Sequence, residues 1–134
     1  MNIVLAIALG GALGAVCRHY VNAYISGVFG SIVGNVGGGH FPAGIMVCNI
    51  LGSFLMGLMI AGFAAAWDVP QSMRALLTVG FLGAFTTFST FSMDIVLLAE
   101  RGAYLTAFTY MSLSVVLGVG ALLLGMSLIK LFPL

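Results

Sequence analysis

Four apolar stretches divide the chain, and each is long enough to cross a bilayer. A spanning helix needs about 20 mostly apolar residues. The first stretch runs from about Ile3 to Tyr24, the second from about Ala43 to Ala66. The third runs from about Ser72 to Leu98, and the fourth from about Ala103 to Leu131. Between them lie short or turn-prone segments. "SGVFGSIVGNVGGGHFP", Ser26 to Pro42, reads as a glycine-rich first loop. "AWDVPQ", Ala66 to Gln71, is a short link in which Pro70 suits the first turn of the next helix. "ERG", Glu100 to Gly102, is tighter still, and Gly102 is placed to end a helix from the C′ position. Short links force antiparallel neighbours. The pattern therefore predicts an all-α, four-helix transmembrane domain over residues 1–134.

Composition agrees. Of 134 residues, 62% are hydrophobic and only 5% are charged, against about 25% charged in soluble domains. Seven charged side chains cannot clothe a soluble surface, so the chain reads as a multi-pass protein of the cell (inner) membrane. The net charge of +1 leaves no basic patch for nucleic acid. The N-terminus has no basic n-region and its apolar run outlasts a signal peptide. Cys17 and Cys48 read as small core residues rather than a disulfide or metal framework. Three pairs of small residues, Gly10 with Gly14, Ser53 with Gly57 and Ser114 with Gly118, have the spacing that lets helices approach closely in lipid.

Charge also bears on orientation. Four spans put both termini on one face, with Arg74 and Lys130; Arg18 and Arg101 fall on the other. An excess of basic residues usually sets orientation, and here it is two against two. A chain this balanced could insert both ways, which makes a homodimer of opposed chains one possibility; folding effects that pick a single orientation are the alternative. Four helices leave little room for an aqueous path, so transport would need an oligomer with its path near the subunit boundary.

The candidate chemistry lies in "GAFTTFSTFSMD", Gly83 to Asp94. Five hydroxyls and three phenylalanines crowd eight positions of an apolar span. Polar groups in hydrocarbon must find partners. Asn49 lies in the second span, and Tyr110, Ser112 and Ser114 in the fourth. No carboxylate falls mid-membrane, Asp94 lying about a turn and a half from a helix end. His19 and His40 are near the edges, which argues against a proton relay. The neutral donors can replace part of an anion's hydration without trapping it. Phenylalanine edges, which are positive, can do the same. Gly80 and Gly83 mark a weak point where the third helix could break, and freed carbonyls there could hold a cation such as sodium.

"GGALGAVCRHY" (Gly10–Tyr20), "FPAGIMVCNILGSFLMG" (Phe41–Gly57) and "GFLGAFTTFSTFS" (Gly80–Ser92) resemble the Fluc/CrcB fluoride-channel family, in order and across almost the whole chain. The resemblance implies an antiparallel, dual-topology homodimer. Its third helix is broken mid-membrane, and its two pores export fluoride passively and protect the cell from fluoride toxicity. It assigns Asn49, Phe88 and Phe91 to the pore, with Ser89 and Thr90 between the rings. It gives the carbonyls of Gly83 and Thr86 to a central Na+ at the dimer interface. Tyr110 and Ser114 begin a polar track on the fourth helix, and Arg18 lies near a vestibule. The chain departs from the family pattern at Ile45, commonly threonine, at Gly118, where the track would continue with serine, and in its longer first loop.

Two other classes fare worse. A small-multidrug-type exporter needs a glutamate in the first helix, which has none. A membrane scaffold would explain the small-residue pairs but not Asn49, Phe88 and Phe91. No nucleophile and base pair suggests an enzyme.

Overall fold

The computed structural model describes residues 2–33, 41–65 and 68–131. Its elements are all helical, with no strand among the described residues. Four spans are long and apolar enough to cross a membrane: Ile3–Ser31, Ala43–Ala65, Gln71–Glu100 and Tyr104–Leu131. The protein is a multi-pass membrane protein. Helix α1 covers Ile3–Val33 and α2 covers Ala43–Ala65. The third span is composite: α3 (Gln71–Arg74), a π-helical segment (Ala75–Leu82), α4 (Gly83–Phe85) and α5 (Phe88–Glu100). Helix α6 covers Tyr104–Leu131.

Several sequence expectations change. Helix α1 does not stop at Tyr24 but continues to Val33, through half of the expected first loop. Glycine costs only about 1 kcal/mol in a helix. Leaving the helix would unpair backbone groups beside Val28, Phe29 and Ile32. Residues 34–40 of that loop, the glycine tract with His40, lie outside the described residues, as does Ala66. Pro70 sits one position before the helix, where its carbonyl accepts from the N–H groups of Met73 and Arg74. Cys17 is exposed rather than in the core, on the side of α1 turned away from the bundle; Cys48 is buried.

Gly102 ends α5 as expected, at φ 75°. Its N–H bonds the Ala99 carbonyl at 2.9 Å, and the Ala103 N–H bonds the Leu98 carbonyl at 3.0 Å. These are the paired bonds of a Schellman turn. The turn sends α6 back along α5 after three residues.

Helix contacts are backbone-close at glycine. Gly10 lies against the Leu76 carbonyl and Gly80, and Gly14 against the Phe81 carbonyl, so α1 rests on the π-helical segment. Gly57 lies against the Leu122 carbonyl and Gly125 against the Phe54 carbonyl, which joins α2 to α6. Dispersion across such contacts substitutes for the hydrophobic effect, which is absent between helices in lipid. Gly10→Leu should therefore lower stability by roughly 3 kcal/mol, read as a lower thermal midpoint in detergent. Gly27→Leu, whose Cβ would meet nothing within 4 Å, should stay within about 0.5 kcal/mol. Equal midpoints would remove the close approach as a source of stability.

Candidate functional site

The site grows from two residues that are not helical. Thr86 (φ −84°, ψ 153°) and Thr87 (φ −152°, ψ 118°) are extended between α4 and α5. The glycines do not make this turn: Gly83 is helical at φ −63°, ψ −35°, and Gly80 serves the contact with α1. Extended residues inside a span lose ladder bonds, and each lost group needs a partner.

Asn49 supplies two. Its Oδ1 accepts from the Thr87 N–H at 2.8 Å, and its Nδ2 donates to the Thr87 carbonyl at 3.3 Å. One side-chain amide thus pairs both backbone groups of Thr87, as a neighbouring strand would. In a continuous helix the Thr87 N–H would bond the Gly83 carbonyl; here that carbonyl loses its helical donor. Thr87 also caps α5, its Oγ1 accepting from the Thr90 N–H at 3.3 Å. Its hydroxyl donates to Thr90 Oγ1 at 3.1 Å and lies 3.3 Å from Ser89 Oγ. Thr86 closes α4, with both N–H and Oγ1 donating to the Leu82 carbonyl at 3.0 and 2.9 Å. Gly52 makes room for the Thr86 methyl, which a Cβ there would strike.

Arg18 turns inward, its Nη1 donating to the Thr86 carbonyl at 3.5 Å. This contact ties α1 to the break.

Two cavities adjoin the break. The first, about 280 Å³, is lined by Asn49, Gly52, Ser53, Met56, Thr86, Thr87, Phe88 and Leu122. The second, about 310 Å³, is lined in part by Asn22, Ser26, Ile45, Thr90, Asp94 and Arg101. Thr87 belongs to one and Thr90 to the other, so their hydroxyl contact spans the wall between the cavities. The rings follow the same route. Phe88 is 80% exposed on the single chain and Phe91 only 8%. Their centroids are 5.8 Å apart at 45°, and Phe91 lies 5.4 Å from Tyr110.

Tyr110 is fully buried, packed edge-on by Phe41 at 5.7 Å, and its hydroxyl donates to Asp94 Oδ2 at 3.2 Å. Ser114 is buried one turn further along α6, and its Oγ has no partner among the described residues. Asn49, Thr86, Thr87 and Phe88 therefore meet in one cavity. Phe91, Thr90 and Tyr110 lie beyond it, and Ser89 stays exposed at its side. Ser114 lines neither cavity.

The sequence reading set Asp94 aside as a residue near a helix end. The structure gives it to the second cavity and to Tyr110. Its spacing was informative, since Asp94 follows Phe91 by three residues and shares its helix face.

The family described as CrcB-like protein, Camphor Resistance (CrcB), matches residues 5–126. This chain belongs to the CrcB family. A Nitrobacter hamburgensis relative, named fluoride-specific ion channel FluC 1, is 45% identical over 127 residues, 95% of this chain and 94% of its own. A Rhodospirillum centenum relative, named fluoride-specific ion channel FluC, is 44% identical over 130 residues, 97% of each chain. One from Shewanella loihica with the same name is 42% identical over 129 residues, 96% of this chain and 97% of its own.

Replacing the clamp tests the geometry of this CrcB-family break. Asn49→Leu leaves the Thr87 N–H and carbonyl unpaired, at about 1–3 kcal/mol each. Thermal unfolding in detergent should show a loss of roughly 2–6 kcal/mol. An unchanged midpoint would mean that other groups hold the break.

Proposed function

We propose that this chain is a fluoride channel of the bacterial cell membrane, letting cytoplasmic fluoride leave passively and so protecting the cell from its toxicity. The names of the full-length relatives support the ion. The observation that carries the residue assignment is the Asn49 clamp, which fixes α5 so that Phe88 and Phe91 follow the break in register.

On this reading the path runs through the first cavity, past the rings and hydroxyls, to the second. Asn49, Ser89 and Thr90 offer neutral hydrogen bonds along it, while Tyr110, whose O–H is given to Asp94, and Ser114 flank it from α6. Phe88 and Phe91 add ring edges, whose positive quadrupole favours a small anion. Neutral donors replace hydration without the deep well that a fixed cation would make. Asp94 and Arg101 give the second cavity one charge of each sign.

The working unit is an antiparallel, dual-topology homodimer whose third helix is broken mid-membrane. Unpaired or irregular backbone is not tolerated against lipid, yet Gly83, whose carbonyl has lost its helical donor, is exposed on the single chain and the extended Thr86 is only half-buried. A second copy laid over this face would cover them. The flanking basic residues number two against two, which fits insertion in both directions. A Na+ at the interface would be held by the carbonyls of Gly83, released by the Asn49 clamp, and of Thr86, shared with Arg18. When bound it would neutralise the converging carbonyl dipoles.

Purified protein in liposomes should release fluoride rapidly and chloride slowly when an ionophore dissipates the voltage. Phe91→Ile should cut the fluoride flux at least tenfold while the protein still elutes as a monodisperse species. Undiminished flux would take this ring out of the path. Lysines added to one loop face should bias insertion and abolish activity until a variant with lysines on the other face is co-expressed. Full activity from a single-orientation population would overturn the antiparallel dimer.

A further inference from the structure

The wall of the first cavity contains three hydroxyls, on Ser53, Thr86 and Thr87. Two are committed. Thr86 Oγ1 donates to the Leu82 carbonyl, and Thr87 Oγ1 donates to Thr90 Oγ1. Ser53 is different: it makes no hydrogen bond to any described residue. Hydroxyls in a span can bond the carbonyl four residues back, as Thr78 does to Arg74, Ser92 to Phe88 and Ser127 to Leu123. Ser53 leaves that bond unmade and keeps its O–H on the cavity.

Asn49 is in a similar position. Only one of its two amide N–H groups is used on the Thr87 carbonyl. Asn49 and Ser53 are four residues apart on α2, so they share a face at about 6 Å of rise. The cavity thus has two neutral donors one turn apart, and Phe88 also lines it.

Helix α6 explains why the donor comes from α2. Gly118 faces Ser53, and a Cβ built on Gly118 would lie 3.8 Å from Ser53 Oγ, an ordinary contact. Gly57 meets Leu122 four residues further along both helices, so α2 and α6 run parallel in register. Four residues back, Asn49 comes level with Ser114, whose buried Oγ has no partner among the described residues. At that level the hydroxyl belongs to α6. At the next level α6 offers only Gly118, and the free hydroxyl is on α2.

We infer that Ser53 is an anion ligand of the path, supplying from α2 the O–H that α6 lacks at Gly118. The inference rests on the channel reading above and adds to it one residue and one handover between helices. A hydroxyl with no acceptor donates to an anion, and being uncharged it releases the anion again.

Fluoride efflux from liposomes tests this with four proteins: unaltered, Ser53→Ala, Ser53→Thr, and Ser53→Ala with Gly118→Ser. Flux should fall about tenfold in Ser53→Ala, the factor set by one hydrogen bond of ordinary net strength. Ser53→Thr, which keeps the hydroxyl, should stay within about threefold of the unaltered protein. Gly118→Ser has room for its side chain, and it should return most of the flux lost in Ser53→Ala. Mere helix packing would not give that rescue. Equal flux in Ser53→Ala and unaltered protein would overturn the role of Ser53 and leave the channel standing. A fall that Gly118→Ser does not reverse would assign Ser53 to packing, and so overturn it too. No fluoride flux from the unaltered protein would overturn the channel reading and this inference together.

Discussion

Backbone that leaves a helix inside a membrane has no water to fall back on. Thr86 and Thr87 leave it, and much of the surrounding structure answers that fact. The Asn49 amide pairs both groups of Thr87. Thr87 Oγ1 receives the Thr90 N–H, and Thr86 folds its own hydroxyl back onto Leu82. Arg18 reaches the Thr86 carbonyl from α1. Three spans thus converge on two residues. Gly52, three residues on from Asn49, admits the Thr86 methyl and so lets α2 lie close enough for the amide to reach. The clamp therefore fixes α2 against the start of α5, and with it the position of Phe88 and Phe91.

The same constraint sorts the hydroxyls into two kinds. Some complete the backbone: Thr78, Thr86, Ser92 and Ser127 each bond a carbonyl four residues back. Thr87 caps a helix. Others are left over. Ser114 is buried without a partner among the described residues, and Ser53 keeps its O–H on a cavity. Residue type does not separate these groups; only the local geometry does. The dense run between Gly83 and Asp94 is thus partly repair of an interrupted helix and partly path. Composition alone cannot divide it.

Much was legible in the sequence, for reasons that are themselves physical. Bilayer thickness fixes span length, so four spans could be counted from apolar runs. Gly102 could be read as a helix end because α-left backbone favours glycine. Asn49 stood out as an amide in hydrocarbon. The misreadings have a common source: local propensity was weighed without its surroundings. Glycines at 27 and 30 read as a loop, but the apolar residues between them keep α1 helical to Val33. Gly80 and Gly83 read as the weak point, but the extended residues are Thr86 and Thr87, and Gly80 lets α1 approach. The contact of Arg18 with Thr86, 68 residues away, left no local signal either. The π-helical segment left no local mark, and for the Asp94 to Tyr110 bond the only one was the three-residue spacing of Asp94 from Phe91, since each depends on how distant segments meet.

The proposed dimer follows from the same reasoning carried to the chain's surface. The clamp repairs the inner side of the break and leaves its outer side bare: Gly83, Phe88 and Ser89 are exposed. The Gly83 carbonyl has lost the amide that a continuous helix would give it, because Asn49 has taken that amide. In water such a carbonyl would be solvated. In hydrocarbon it needs a donor or a cation, and the single chain brings only one guanidinium to the break, engaged at Thr86. A second copy facing this surface would bury the bare backbone and bring a second set of carbonyls, and a shared Na+ would then offset their combined dipoles. The side-chain amide that fixes the rings is, on this view, also what obliges the chain to find a partner.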